Sequence, residues 1–298
     1  MKEIKHINFD NRNNRNATFD ILNLQEFLAN EHESKFIYRH HLIEFFAIFF
    51  VENGAGKHTI DFEEFTYKKG TVFTIRKDQI HQFHKNNNAK GKLVLFTDDF
   101  LISYLNTLQS LKAFQVFNYV LCNPKIQLSE AEFTKIFGII NRIKEEYFDK
   151  NDIHSLEIIS SELHILITKL YRIKSNEGQL QISKKYLNEF INFQNLVEHN
   201  VFKHTKVSFY VKKLGVSTKT LNKITDTIIN KSAKKFIDEI CTRQIKRLLI
   251  NTDLSIKEIA FEAGFKEITN FHNYFKRHTN LTPKEFRQTL FNSHFYNS

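Results

Sequence analysis

Two sets of side chains in this chain have the types and spacing to do chemistry. The first comprises Lys266, Thr269, Asn270, His272, Asn273, Lys276 and Arg277, interleaved with the apolar or aromatic Ile268, Phe271, Tyr274 and Phe275. The steps of three and four among the apolar residues place them on one side of a helix and the polar set on the other. Amides, hydroxyls and cations presented this way bond to base edges and phosphates. A related set, Ser217, Thr218, Lys219, Thr220, Asn222 and Lys223, lies upstream. A polar helix face is equally the mark of an ordinary helical hairpin in water, so the types alone do not decide. The second set is His40, His41, Glu44, His81 and His84, whose imidazoles and carboxylate are metal-ligand types. Neighbours on a strand point to opposite faces, so His40 and His41 do not converge, and no metal is expected. A polar contact or a satisfied core position is the expected role of His81. Gly-rich phosphate loops, a nucleophile elbow and paired carboxylates do not occur, so no catalytic residue and no cofactor is assigned.

The elements that must position the first set are legible. Ser255 and Glu258 form a capping box before Ile256, Ile259, Ala260 and Ala263. Gly264-Phe265 follows, where glycine can take positive φ and turn the chain. The polar-faced run then begins, giving helix, turn and helix. Val207–Leu214, Gly215-Val216 and Ser217 to Ile229 repeat the arrangement, glycine to glycine, 49 residues upstream. Phe236 to Ile250 reads as one long helix between the copies. It can set two reading heads along duplex DNA, whose successive major-groove faces lie about 34 Å apart.

Ile259-Ala260, Gly264-Phe265, Thr269-Asn270-Phe271, Tyr274-Phe275-Lys276-Arg277 and Thr282-Pro283-Lys284-Glu285-Phe286-Arg287 form one ordered pattern. From near Tyr186 to Arg287 the sequence thereby resembles the C-terminal domain of the AraC/XylS family of transcription regulators. The resemblance implies that Gly264-Phe265 is the turn of a second helix-turn-helix and Thr269 to Arg277 its recognition helix. Asn230 and Asn280 stand where the family usually has glycine, and Asn is the residue that best tolerates the left-handed conformation after Gly. Ile224-Thr225-Asp226 replaces a frequent Phe-Lys pair, so the first unit departs further. Asp226 near DNA repels phosphate unless it bonds a cytosine amino group or pairs with Lys223.

The N-terminal half is different. Phe45–Val51, His58–Phe62, Thr71–Ile75 and Leu93–Phe96 read as short strands, separated by turn signals at Asn53-Gly54, Gly56, Lys69-Gly70 and Asn86 to Gly91. They suggest an antiparallel barrel or jelly roll. The resemblance implies a cupin-like sensor barrel, with Phe46, Ile48, Phe50, Ile75 and His81 as its expected effector pocket. Beyond Phe100 the chain reads as helix. Ser129 and Glu132 cap a stripe of Phe133, Ile136, Phe137, Ile140 and Ile143, and a second stripe runs from Ile153 to Leu170. Leu156, Ile159, Leu163 and Ile167 on it are expected to form a dimer seam; alternatively, both stripes cover the barrel of their own chain.

Charge follows the same division. From Lys184 onward there are 20 Lys+Arg against 10 Asp+Glu, whereas the first 183 residues carry 23 of each. All of the net +10 therefore lies in the C-terminal part, as a polyanion partner requires. Cys122 and Cys241 lack metal-ligand spacing and suggest a reducing compartment. The polar N-terminus is no signal peptide, and the greasy Leu42 to Val51 is too short to span a membrane. The expected fold is α+β: a cupin-like antiparallel β-barrel with dimerisation helices over 1–174, a linker over 175–183, and an all-α domain with two helix-turn-helix motifs over 184–290. The expected function is a sequence-specific, cytoplasmic DNA-binding regulator, an activator acting as a homodimer. Its expected partners are duplex DNA, RNA polymerase and a small effector, with no membrane. The alternative is a cupin-type metal-dependent enzyme fused to a DNA-binding domain.

Overall fold

Alternating apolar residues and short turns build the first half of the molecule, and helix caps build the second. The computed structural model describes residues 5–11, 18–29, 37–85, 89–104, 112–113, 115–118, 123–176 and 186–292. The chain divides into two compact units, Lys5–Gln181 and Ile182–Ser298.

The first unit begins with β1 (Lys5–Ile7), β2 (Phe19–Asn23), α1 (Leu24–Ala29), β3 (His41–Ile43) and β4 (Phe46–Asn53). It continues through β5 (Gly56–Ile60), β6 (Glu63–Tyr67), β7 (Thr71–Ile75), β8 (Ile80–Phe83) and β9 (Lys90–Phe96). α2 (Asp98–Tyr104), β10 (Lys125–Gln127), α3 (Glu130–Glu145) and α4 (Ser155–Asn176) complete it. The strands form two five-stranded sheets, ordered β1-β3-β8-β5-β6 and β10-β7-β4-β9-β2. The α+β class stands. The barrel takes the form of two sheets packed face to face rather than one closed sheet, and β1 pairs with β3 in parallel.

The expected strand His58–Phe62 ends at Ile60. Asp61 and Phe62 take φ of 46° and 74°, and Ile60 pairs with Glu63 across them. Two consecutive residues of positive φ make the tight turn that suits a right-twisted hairpin. Phe62 lacks the usual Asn or Gly signal, which hid the turn. The Asp61 carboxylate accepts from Gln79 Nε2 (3.0 Å), tying the turn to the start of β8.

β4 is buried on both faces, and alternation sorts its residues. Phe49 and Val51 face the first sheet, with Phe73, Ile75, Phe65 and Phe83 around them. Phe46, Ile48 and Phe50 belong to the opposite core, which includes Ile136, Ile140, Ile159, Leu163 and Ile167 of α3 and α4. The rings of Phe50 and Phe133 stack at 5.3 Å. This corrects the expected pocket: Phe46, Ile48 and Phe50 lie on the helix side, while Ile75 and His81 lie between the sheets. The pleat turns successive side chains to opposite faces, so one cavity cannot hold both groups.

The dimer seam is corrected by the same packing. Ile159, Leu163 and Ile167 are fully buried in their own unit and Leu156 packs against the same core. The stripe covers its own sheet. Exposed apolar residues lie elsewhere: Ile158 and Ile165, seven apart, are 45% and 42% exposed, and Phe148 and Ile153 are 52% and 93% exposed. The Ser129–Glu132 capping box forms as expected. Ser175 and Asn176 complete α4, and the rest of the expected linker, 177–183, lies outside the described residues, as does Cys122.

The second unit is helical: α5 (Leu187–Asn200), α6 (Val207–Leu214), α7 (Thr218–Ile229), α8 (Ala233–Asn251), α9 (Ile256–Glu262), α10 (Ile268–Thr279) and α11 (Pro283–Asn292). No helix of the described residues is long and apolar enough to cross a membrane.

Candidate nucleic-acid interface

Each motif is built by caps and a left-handed turn. Leu214 ends α6 because Gly215 takes φ 66°, and its N–H bonds the Val211 carbonyl. Ser217 then caps α7, its Oγ accepting from Thr220 N at 3.0 Å. In the second motif the Ser255–Glu258 box opens α9, Gly264 takes φ 81°, and α10 follows. Asn230 and Asn280 end the reading helices at φ 52° and 61°, so asparagine fills the left-handed cap as expected. A further box, in which Thr282 N donates to Glu285 and Glu285 N to Thr282 Oγ1, opens α11 before Pro283.

Both motifs rest on α8. Phe236 meets Phe190 and Phe193 of α5 at 5.3 and 5.4 Å between ring centres. Gln244 Nε2 donates to the Glu198 carbonyl at 2.6 Å. Leu221 and Ile224 of α7 are buried, and α7 packs on α8. From the other side, the Tyr274 hydroxyl donates to the Asp238 carbonyl and carboxylate at 3.1 Å each. Arg287 Nε donates to the Leu249 carbonyl at 2.8 Å. The turns also touch: a Cβ added at Gly264 would lie 2.0 Å from the Phe202 carbonyl oxygen, so backbone approaches backbone where only glycine fits.

The polar faces point outward. Lys266, Thr269, Asn270, Asn273, Lys276 and Arg277 are exposed and His272 is half-buried, while Phe271 and Phe275 are buried beneath them. Asn270 Nδ2 lies 3.3 Å from a Glu267 carboxylate oxygen, leaving its own carbonyl outward. Arg277 spreads over the Tyr274 ring at 5.7 Å. Burial pushes His278 below its ordinary range, so the last turn of α10 is charged by Lys276 and Arg277. On α7, Ser217, Thr218, Lys219, Thr220 and Lys223 are exposed. Asn222 departs from its expected role: its Oδ1 accepts from Ala233 N at 2.9 Å, fastening the start of α8. That oxygen is needed for a paired contact with adenine, so Asn222 is a structural brace. Burial raises the Cys241 thiol to about 11, which keeps it protonated.

The histidines of the first unit gather differently from the expected ligand set. His41 and His81 are cross-strand partners with ring centres 4.0 Å apart, and His58 lies 5.3 Å from His81. All three are buried on the inner face of the first sheet. Sequence reasoning missed His58, although it alternates with the inward Ile60. Glu44 instead approaches His6 at 3.3 Å, and His84 bonds Thr59 Oγ1 at 2.8 Å. Among the described residues no group of three His, Cys, Asp or Glu is arranged to hold a metal.

Two helix-turn-helix motifs on one shared helix, beside a β-sandwich unit, define a DNA-binding regulator with a separate sensor. Residues 210–289 match a family profile described as a helix-turn-helix domain, and residues 24–163 match one described as an AraC-like ligand binding domain. The chain belongs to the AraC/XylS family: it is a DNA-binding transcription regulator with an N-terminal ligand-binding domain. It is 23% identical to the HTH-type transcriptional activators RhaS of Salmonella arizonae and Salmonella typhimurium over 257 residues, 86% of this chain and 89% of each relative. Among solved structures it is similar to ToxT from Vibrio cholerae, at 13% identity and TM-score 0.42, covering 90% of this chain and 97% of that one. A fatty-acid-bound form of ToxT gives 16% identity and TM-score 0.41 over 84% and 89% of the two chains.

Proposed function

We propose that α7 and α10 enter successive major-groove faces of one duplex, and that the sandwich unit adjusts this binding to a small effector held between its sheets. The observation that carries the reading is the pair of outward polar faces, each on a helix fixed to α8 by buried aromatic or apolar residues. Thr269, Asn270 and Asn273 read base edges on α10, and Lys266, Lys276 and Arg277 hold phosphates. On α7, Thr218, Lys219 and Thr220 read, while Ser217 mainly caps and Lys223 holds phosphate. His272 buttresses the face.

The protein works as a cytoplasmic homodimer, meeting its copy through Phe148, Ile153, Ile158 and Ile165, whose exposure on one segment is otherwise unfavourable. It activates transcription beside RNA polymerase, as the names of its relatives indicate for them, and its role is regulatory rather than catalytic. The three buried imidazoles offer polar contacts to an effector among aromatic walls. The test is binding of the full chain to duplexes selected from a random library. Selection of a sequence with two conserved blocks about one helical turn apart supports the reading, and recovery of no consensus overturns it.

A further inference from the structure

Between α5 and α6 the chain forms a cleft of about 450 Å³ whose lining includes Lys203, His204, Lys206, Ser208, Phe209 and Lys212. Three lysines and no carboxylate line it. Elsewhere in the same unit lysines near carboxylates pair with them: Lys231 with Glu239 and Lys234 with Asp238, both at 2.7 Å. The cleft therefore concentrates positive charge that its own walls do not neutralise.

Its backbone is held firmly. The N–H groups of Lys203 and His204 bond the Asn200 carbonyl at 3.0 and 2.8 Å. The Tyr210 hydroxyl donates to the His204 carbonyl at 2.6 Å, and Lys234 Nζ donates to the Thr205 carbonyl at 3.3 Å. The His204 ring lies flat on Phe209, centres 3.7 Å apart and 12° between planes. Side chains from α6 and α8 thus fix the loop, while Lys203, Lys206 and Lys212 remain exposed at its mouth.

The cleft sits one short helix away from the first reading helix. Eight residues of α6 separate it from Gly215 and α7, a length of roughly 12 Å. That is about the width of the major groove. With the start of α7 in the groove, the cleft reaches the phosphate ridge at its edge. In three-helix DNA-binding units the loop before the first motif helix meets the backbone.

We infer that Lys203, Lys206 and Lys212 form a clamp for DNA backbone phosphates that seats the first motif without reading sequence. The inference rests on the DNA-binding role of the unit. Neutralising about one phosphate per lysine, the clamp steepens the salt dependence of binding by about 0.9 per contact.

The test uses the full-length protein with all three lysines changed to Gln, on the selected duplex and on an unrelated one, between 50 and 200 mM salt. The expected slope of log K against log salt is shallower by about two to three units. Extrapolated from a 1 M reference, this lowers affinity for both duplexes about 60- to 500-fold at 100 mM. Base preference and melting temperature stay unchanged. Lys206→Gln alone loses about one unit of slope, which guards against a misfolded triple variant. Unchanged slope and affinity, with wild-type base preference intact, overturn the clamp while leaving the DNA-reading helices standing. Failure of the wild type to bind any duplex overturns both. Inorganic phosphate is the second arm. If it binds wild type at micromolar concentration and the triple variant keeps its DNA affinity, the cleft belongs to a free anion and the inference fails.

Discussion

Gly215 and Gly264 occupy equivalent turns at similar positive φ, yet replacing them with alanine should have unequal effects. At Gly215 an added Cβ meets nothing within 4 Å, so only backbone strain remains, about 1–2 kcal/mol. At Gly264 the same strain applies at φ 81°, and the Cβ also lands 2.0 Å from the Phe202 oxygen and 3.2 Å from its carbonyl carbon. The turn must retreat by more than an ångström or distort the end of α5, and overpacking of this kind costs a further 1–3 kcal/mol or so. Gly264→Ala should therefore destabilise by about 2–5 kcal/mol and Gly215→Ala by about 1–2. Urea unfolding of the Ile182–Ser298 unit, followed by far-UV circular dichroism with unchanged slope against denaturant, measures both. Because the Gly264–Phe202 approach also joins the two motifs, Gly264→Ala should weaken operator binding even where the unit remains folded. Equal losses at the two glycines would refute the close approach. A harmless Gly264→Ala would refute the left-handed turn itself.

Burial holds His41 at about 4, and burial reinforced by neighbouring histidines holds His58 and His81 well below their ordinary value. All three bind protons more readily when unfolded, near 6.5, so their stability contribution is complete above that pH and is lost as pH falls toward the folded values. Near pH 5 the slope approaches about 4 kcal/mol per pH unit, and His58→Leu should flatten the acid melt by about one proton; an unaltered acid limb contradicts the cluster. Lys276→Ala should weaken all duplexes alike and lower the salt slope by about one unit, whereas Asn270→Ala should relax preference at one or two base pairs by about 1–3 kcal/mol. Uniform loss and an early melt for Asn270→Ala make that residue a brace for Glu267 instead. Ile158→Glu with Ile165→Glu should yield a monomer by sedimentation with an unchanged melt, and Leu163→Glu should unfold the sandwich unit. A double variant that remains dimeric contradicts the outer-face interface.

The helical half was legible because its signals are local. Capping boxes at Ser255 and Ser129, glycines at the turns and apolar steps of three and four each act within one helix, and the structure places them accordingly. Asn222 was misread because its partner, Ala233 N–H, lies eleven residues away, beyond any helical period. The sandwich was harder. Short β1, β3 and β10 owe their existence to distant partners rather than to their own pattern. On β4 an apolar run gives no alternation from which to sort Phe46, Ile48 and Phe50 from Ala47, Phe49 and Val51, because both faces are covered. The stripe on α4 was visible as a stripe, but a period alone does not say whether an apolar face meets its own sheet or a partner.

The central claim is that one chain places two reading helices in neighbouring grooves. Hydroxyl-radical and methylation footprinting of the selected duplex, bound first by wild type and then by variants carrying Lys219→Ala with Thr220→Ala or Asn270→Ala with Asn273→Ala, measures it directly. The account predicts two protected major-groove windows about one helical turn apart for each chain, with each pair of substitutions clearing its own window and sparing the other. A single window per chain, or loss of both windows from either pair in a protein that melts normally, contradicts it.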